Sequence, residues 1–162
     1  KFRTIRRNVI KIAELAGIEV LPFQSAHIEE CRQLLSRWGE RHRNAFGTRG
    51  GAGTSRRALD LSLLIHAPDL EGEVVLLHGR LVAYALWGEI RPGVGAFFDA
   101  KCEAEPAGLG FFHRHHFLSR QHQFEIINDG SDAGRAGLRQ LKNSLRPVGF
   151  HMEHRAFQVA DP

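Results

Sequence analysis

The sequence contains little cysteine and no long apolar run. Cys31 and Cys102 are its two cysteines, and they lie far apart, outside any CxxC or Cys/His ligand pattern. This spacing argues against a disulfide framework and against a cysteine-based zinc site, and we interpret both residues as reduced thiols of a cytoplasmic protein. No apolar stretch approaches the roughly 20 residues of a membrane span, and we expect no secretory signal.

The composition is that of an ordinary globular domain with a small excess of positive charge. Hydrophobic residues make up 43% of the 162 residues and charged residues 25%, which is typical of a folded domain with one sizeable core. The net charge is +4 with histidine neutral. This excess favours anionic partners, namely phosphorylated cofactors, RNA or an anionic membrane surface. It does not indicate an oligomeric state.

Residues 124–147 carry the most informative pattern of the chain, which is an apolar strand, a polar turn and an amphipathic helix. The apolar residues of 124–127 predict a buried strand. In the turn, Ser131 or Asp132 is well suited to cap the helix that follows.

The helix of this stretch has two stripes at helical spacing. The apolar stripe, predicted to be buried, consists of Leu138, Leu141 and Leu145. The basic stripe consists of Arg135, Arg139, Lys142 and Arg146. A helix start carries partial positive charge and free N–H groups, so the basic stripe favours an anion site. On pattern alone, a solvated cationic face is the alternative.

Two other segments are also basic. Residues 1–17 predict a lead-in helix, which could connect to a preceding domain; because the chain begins at Lys1, we expect an upstream part. Residues 39–57 are rich in glycine and arginine and predict a loop. Its GGAGTS sequence lacks the lysine and the preceding strand of a Walker-type phosphate loop, which excludes that motif. A substrate-covering or RNA-contacting loop and a disordered loop both stay open.

Residues 18–162 predict a single α/β (α+β) domain. The elements follow the order β-α-α-β-β-β-α-β-α-β. The strands are predicted at 18–23, 73–77, 81–90, 95–102, 124–127 and 149–159, and the four helices at 25–38, 57–66, 108–122 and after the polar turn. The second to fourth strands form an antiparallel meander. A meander followed by a strand–helix–strand crossover predicts a mixed central sheet with helices on both faces.

This succession resembles the N-acetyltransferase (GNAT) fold, an acyltransferase fold. In that fold a turn with the pattern Gln/Arg-x-x-Gly-x-Gly/Ala holds the pyrophosphate of coenzyme A. The matching turn here is EPAGLG, with Gly108 and Gly110 in place. Glu105 stands where Gln or Arg is expected, and a carboxylate repels a pyrophosphate. An ordinary helix-start turn is the structural alternative.

The segment IINDGSDAGRAGLRQLKNSLRP, residues 126–147, resembles a bacterial family related to the C-terminal catalytic region of phosphatidylglycerol lysyltransferases. The matching residues are Ile127, Asn128, Asp132, Gly134, Gly137, Leu138, Arg139, Lys142 and Pro147. Members have two GNAT-like domains in tandem. The resemblance implies that this chain is the second half, that residues 1–16 are the connecting helix, and that the N-terminal GNAT-like domain is a missing partner.

The same resemblance implies transfer of an aminoacyl group from aminoacyl-tRNA to a hydroxyl or amine. The candidate catalytic residues are Asp99, Lys101, Asn128 and Asp132, and the candidate substrate-binding residues are Gly108, Gly110, Arg135, Arg139 and Lys142. Asp99 or Asp132 would accept a proton or anchor the amine of the transferred amino acid. Lys101, Arg139 and Lys142 would hold the ester, the oxyanion or the terminal phosphate, and Asn128 would bind the acyl group. Capping, turn formation and ion pairing are the structural alternatives. Strand alternation puts Asp99 and Lys101 on one face, which suits a mutual ion pair.

Three functions follow, and none requires a metal, because no histidine set has the spacing of a known metal site. The first is an aminoacyltransferase that uses aminoacyl-tRNA as donor to a lipid, peptide or small-molecule acceptor. The second is an acetyl-CoA-dependent N-acyltransferase. The third is a non-catalytic half that docks on its partner domain. The first predicts salt-sensitive binding of tRNA.

Overall fold

The computed structural model describes residues 2–47, 51–62 and 70–150. The chain divides into two compact units, residues 1–128 and 129–162. No helix within the described ranges is long and apolar enough to cross a bilayer. The predictions of a lead-in at 1–17 and of one domain over 18–162 stay predictions.

The first unit contains a five-stranded sheet and four α-helices among its described residues. In chain order its elements are α1 (Phe2–Ala13), β1 (Ile18–Pro22), a 3₁₀ helix (Ser25–His27), α2 (Ile28–Phe46), α3 (Ala52–Leu61), β2 (Glu71–Leu77), β3 (Arg80–Arg91), β4 (Val94–Cys102), α4 (Leu109–Leu118) and β5 (Ile126–Asn128). The described part of the second unit contains α5 (Ala136–Ser144).

The strands are ordered β1-β2-β3-β4-β5 in the sheet. The first four are antiparallel to their neighbours, and β5 runs parallel to β4. Because β4 and β5 are parallel neighbours, their connection must cross over the sheet, and α4 lies in that connection. The predicted meander and mixed sheet are therefore confirmed.

Helices cover both faces of this sheet, as predicted. Successive residues of a strand point to opposite sides, so apolar neighbours on one strand pack against helices on different faces. On β2, Val74 packs with the buried residues of α2 and α3, including Leu34 and Leu59. Its neighbour Val75 packs on the opposite face with Ile12 of α1 and with residues of α4. Val74 and Val75 are both fully buried. Complete burial of one such side chain stabilises the folded state by about 1.5–3 kcal/mol.

The prediction of a loop over residues 39–57 is wrong for most of its length. The second helix continues to Phe46, and α3 begins at Ala52 rather than at residue 57. Gly39 lies within α2, where an added Cβ would come 3.4 Å from the Cβ of Ala52. The glycine thus permits close approach of the two helices, and this packing outweighs its low helix propensity. Residues 48–50 and 63–69 lie outside the described residues.

The strand at 124–127 is not buried as predicted. Its pairing with β4 begins at Ile126, whose side chain is 52% exposed, and β5 is the edge strand of the described sheet. Ile127 is half-buried and packs with the buried residues Ala85, Trp87 and Phe117, whereas its neighbour Ile126 points to the opposite side of the strand. The predicted closing strand at 149–159 lies outside the described residues from residue 151 onward.

Candidate functional site

A largely buried pair of a carboxylate and an ammonium lies on β4, on the face covered by α2 and α3. Lys101 donates a hydrogen bond to the Oδ1 atom of Asp99, and their side chains are only 12% and 9% exposed. The predicted ion pair is confirmed. Its cause is the two-residue repeat of the strand, which points both side chains in the same direction.

Two hydroxyl groups from other elements complete the surroundings of Asp99. The Ser55 Oγ atom on α3 donates to Oδ1 at 2.8 Å, and the Tyr84 hydroxyl on β3 donates to Oδ2 at 2.7 Å. Burial raises the pKa of Tyr84, and the charge of Asp99 raises it further, so the phenol stays a neutral donor. Three donors therefore satisfy a carboxylate that would be costly to bury alone.

The Lys101 ammonium also faces an aromatic ring. Its Nζ atom lies 5.1 Å from the centre of the Trp38 ring on α2, within the range of a cation–π interaction. Nearby, burial raises the pKa of Cys31 to about 12, with smaller contributions from Glu30 and Asp99. The thiol is therefore protonated, and the site offers a fixed ammonium rather than a cysteine nucleophile. We name Trp38, Ser55, Tyr84, Asp99 and Lys101 the Asp99 cluster.

The sheet is irregular beside this cluster. The register between β3 and β4 shifts between Leu86 and Trp87, which leaves Phe98 as an extra residue of β4. On the other side, β5 pairs with β4 only over Val94–Ala96. A bulge re-aims side chains and bends a strand. Beyond Ala96, the described residues place no strand on the β5 side of β4, so this edge of β4 is open next to Asp99.

The EPAGLG turn precedes α4, as predicted, but its groups serve internal contacts. Gly108 has φ +101°, and an added Cβ would lie 2.9 Å from the Cβ of Asn8. An added Cβ on Gly110 would lie 3.3 Å from the Cys102 sulfur. The Glu105 carboxylate accepts the Ala107 N–H at 2.9 Å. Packing explains both glycines, and one N–H of the turn already has a carboxylate partner.

In the second unit, Asp132 does not cap α5. The N-cap is Arg135, and it makes no side-chain cap hydrogen bond. Asp132 instead accepts the Gly134 N–H at 2.8 Å and the Arg139 Nε–H at 2.5 Å. The chain turns through positive φ at Ala133 and Gly134, so the carboxylate meets its own turn before the helix begins. The hydrogen bond from Arg139, followed by that from Gly134, lowers the pKa of Asp132.

The basic stripe of α5 is partly neutralised within its own unit. Lys142 donates to the Asp129 carbonyl and, at 3.0 Å, to its carboxylate, while Arg139 pairs with Asp132. These pairs reduce the positive charge available to an anion. The predicted apolar stripe is half-buried rather than buried, and α5 contains no buried residue.

The structure therefore brings together some predicted site residues and not others. Asp99 joins Lys101 in the first unit, where Asn128 is exposed at the end of β5. Asp132 joins Arg139 in the second unit. Convergence of all of them at one place stays a prediction. Sequence reasoning missed Ser55 and Tyr84 as partners of the acid, although a lone tyrosine hydroxyl in an apolar strand is a signal for a buried polar contact.

Two histidines surround a second buried acid on the opposite face of the sheet. Glu73 of β2 lies 3.2 Å from the His113 Nε2 atom and 3.0 Å from the His116 Nδ1 atom. Burial alone would raise the pKa of Glu73, but both histidines act against it and hold the pKa below its ordinary value. Groups of three or more metal-ligating side chains are absent from the described residues. His151 and His154 lie outside them.

Comparison with protein-family models gives no match, and neither does comparison with curated proteins. Solved structures do match. A conserved protein of unknown function from Bacteroides thetaiotaomicron is similar with a TM-score of 0.78 and 26% identity, over 91% of this chain and 50% of that one. The C-terminal domain of a candidate lysylphosphatidylglycerol synthetase from Agrobacterium fabrum gives 0.62 and 16%, over 90% and 51%.

Smaller acetyltransferases share the same fold. The ribosomal-protein-alanine N-acetyltransferase from Brucella melitensis gives a TM-score of 0.58 at 9% identity, over 88% of this chain and 99% of that one. The mixed sheet of this chain is thus of the GNAT type, as predicted. The chain spans about half the length of the Bacteroides and Agrobacterium structures.

Proposed function

We propose that this domain transfers an aminoacyl group from aminoacyl-tRNA to a hydroxyl or amine of a lipid, peptide or small-molecule acceptor. The observation that carries the proposal is the Lys101 ammonium, held by Asp99 and Trp38 in a largely buried position. Acyl transfer passes through a tetrahedral intermediate with a negative oxygen. A cation fixed beforehand in a water-poor site stabilises that charge without reorganisation.

In this mechanism Asp99 holds the lysine in place. Its oxygens already accept hydrogen bonds from Ser55, Tyr84 and Lys101, which leaves it poorly suited to take a proton. The acceptor forms the new bond to the ester carbonyl, the bond to the terminal oxygen of the tRNA breaks, and the acceptor proton passes to that leaving oxygen. Lys101 would bind the carbonyl oxygen throughout.

The turn before α4 supports aminoacyl-tRNA over coenzyme A as the donor. The Glu105 carboxylate occupies the Ala107 N–H, and Gly108 packs against Asn8. Both features disfavour a pyrophosphate held by the backbone of this turn, because such binding needs the N–H groups of the turn free and its backbone uncovered. The Agrobacterium domain, by its description a part of a lysylphosphatidylglycerol synthetase, supports an aminoacyl donor and a lipid acceptor. The half-length match supports a second GNAT-like domain as partner.

A transfer assay tests the proposal. The protein is mixed with total bacterial tRNA charged with labelled amino acids and with phosphatidylglycerol vesicles, and labelled product is followed. Lys101→Met should reduce kcat at least about 100-fold, the usual order for loss of one oxyanion donor. The matched control is Arg32→Met, which removes a cation of the surface pair with Asp60 and should leave the rate unchanged. Equal rates for both variants would sink the assignment of Lys101.

An acetyl-CoA-dependent N-acyltransferase is the second candidate, because the Brucella neighbour with this fold is an N-acetyltransferase. It predicts that coenzyme A raises the Tm, since a ligand that binds only the folded state stabilises it. The substitution Gly108→Ala, which places a Cβ against Asn8, would then abolish the shift. A Tm unchanged by coenzyme A, together with tRNA binding at low salt, would favour the first candidate. No response to either ligand would favour a non-catalytic half.

A further inference from the structure

Three arginines converge on one carboxylate at the end of β4. Arg37 Nε and Arg41 Nη1 donate to the two oxygens of Glu103 at 2.7 and 2.9 Å, and Arg80 Nη2 lies 3.4 Å from it. Arg41 also donates to the Cys102 carbonyl at 2.9 Å. We name Arg37, Arg41, Arg80 and Glu103 the arginine cluster. Alone, it could serve only to hold α2 against β3 and β4.

The charge balance of the arginine cluster indicates more than a structural contact. Three positive charges face one negative charge, and Glu103 is turned inward with a side chain only 13% exposed. The three arginine side chains are 38%, 38% and 65% exposed. Burial alone would raise the pKa of Glu103, but the hydrogen bonds from Arg37 and Arg41 outweigh it and lower the pKa. The arginine side chains are therefore more accessible than the carboxylate that they surround.

An open cavity of about 640 Å³ borders this cluster. It is lined by Arg41, Leu77, His78, Arg80, Val82, Glu103, Ala104 and Glu105. Within the lining, the charges of Arg41 and Arg80 balance those of Glu103 and Glu105, and Arg37 of the arginine cluster adds one positive charge from outside it. The side chain of Arg80 is the most exposed of the three arginines. Both Nη atoms of Arg41 already donate within the protein, whereas Arg80 contacts Glu103 through Nη2 at 3.4 Å. The guanidinium of Arg80 is thus the better placed of the two for planar, bidentate recognition of a phosphate group.

The cavity is aligned with the Asp99 cluster. Asp99, Lys101 and Glu103 alternate along β4 and its extension, and Arg37, Trp38 and Arg41 are neighbours on α2. At about 3.3 Å per strand residue, Asp99 and Glu103 are separated by about 13 Å. A ligand with phosphate at the arginine cluster could therefore reach Lys101 with its other end.

We propose that the arginine cluster binds the phosphate backbone of a single-stranded RNA end, and so positions the terminal ester at Lys101. The choice of RNA rests on the proposed function; the phosphate chemistry rests on the cluster itself. Single strands are usually bound by cationic side chains that contact the phosphates and by aromatic rings that stack on the bases, and Trp38 lies between Arg37 and Arg41 in the sequence of α2. Arg41 and Arg80 bind the phosphate, while Glu103 positions their guanidinium groups.

The test uses the whole chain and a short, 5′-fluorescein-labelled single-stranded RNA, with affinity followed by anisotropy as the salt concentration is raised. Arg80→Ala should weaken binding roughly tenfold at low salt and reduce the salt slope by about 0.7, the value for one lost phosphate contact on a single strand. The matched control is Arg91→Ala, which removes an exposed arginine from the other end of β3. It should change neither the affinity for RNA nor the salt slope. Arg80→Lys should keep the slope and lose part of the affinity.

Equal losses in Arg80→Ala and Arg91→Ala would mean general charge attraction and would overturn the proposal, as would no loss in either. Displacement of the RNA by coenzyme A, with coenzyme A binding that itself depends on Arg80, would overturn the assignment to RNA.

The transfer assay separates this inference from the proposed function. If transfer occurs and Arg80→Ala leaves the KM for aminoacyl-tRNA unchanged, the RNA site is wrong. If RNA binding depends on Arg80 but no transfer is detected, the aminoacyltransferase proposal fails and the site stands.

Discussion

Two pairs of a carboxylate and a cation in the protein differ in their surroundings. One pair is Asp99 with Lys101 on β4, and the other is Asp132 with Arg139 in the second unit. The first pair has side chains 9% and 12% exposed, whereas Asp132 is 25% and Arg139 61% exposed. The buried carboxylate receives two further hydroxyl donors, and the exposed one receives a backbone N–H.

This difference decides what each pair can do. In a buried site, water does not screen the charges, so loss of one partner leaves the other uncompensated. At the surface, solvent and salt weaken the attraction, and the typical contribution is about 0–1 kcal/mol. Of the two pairs, Asp99 and Lys101 therefore carry the charges that solvent screens less. Single substitutions test this contrast, and the greatest loss of stability is expected at Asp99.

Asp99→Asn should lower the free energy of unfolding by about 3 kcal/mol, because it leaves the Lys101 ammonium buried without an anion. Urea unfolding at neutral pH measures the change. Asp60→Asn, in the surface pair with Arg32, is the control and should cost less than about 1 kcal/mol. Similar losses in both variants would mean that the Asp99 pair is effectively solvated.

Tyr84→Phe should lower the free energy of unfolding by about 2 kcal/mol, since it removes one hydrogen bond to a buried charge. The same urea experiment measures this loss. In the double variant with Asp99→Asn the two losses should fall short of their sum, because the hydroxyl then has no carboxylate to serve. Strict additivity would argue against the contact between Tyr84 and Asp99.

Because of the buried acid Glu73, the free energy of unfolding should depend on pH in the acidic range. Its pKa is lowered from 4.5 in the folded state, so its stabilisation is complete above about pH 4.5 and is lost as the pH falls through the lower folded value. Glu73→Gln should therefore show a shallower loss of stability below about pH 4.5 than the wild type, as measured by urea unfolding across pH. Glu19→Gln on β1 should retain the wild-type profile. A Glu73→Gln profile as steep as that of the wild type would contradict the assignment.

Asp132→Asn should change the free energy of unfolding far less than Asp99→Asn does, and the difference should shrink at high salt because the pair is screened by solvent. The amide oxygen can still accept the Gly134 N–H, so the turn is expected to persist. A loss near that of Asp99→Asn, insensitive to salt, would show that this pair is also buried in solution.

Local patterns predicted several features correctly. The two-residue repeat of β4 predicted the pairing of Asp99 with Lys101, and the order of elements predicted the mixed sheet. Other predictions failed because distant contacts decided them. Glycine content suggested a loop around Gly39, but packing against Ala52 keeps that residue within α2. The partners Ser55 and Tyr84 come from other elements, so no local spacing connects them to Asp99.

The sequence by itself determined the alternation of the strands, the turns between them and the presence of an acid and a base on one strand face, because these depend on neighbouring residues and backbone geometry. Contacts between distant elements set the burial of Asp99 and Lys101, the hydroxyl groups around them and the meeting of three arginines from α2 and β3 with Glu103. Burial and charge compensation depend on residues far apart in the chain, and folding alone brings them into contact.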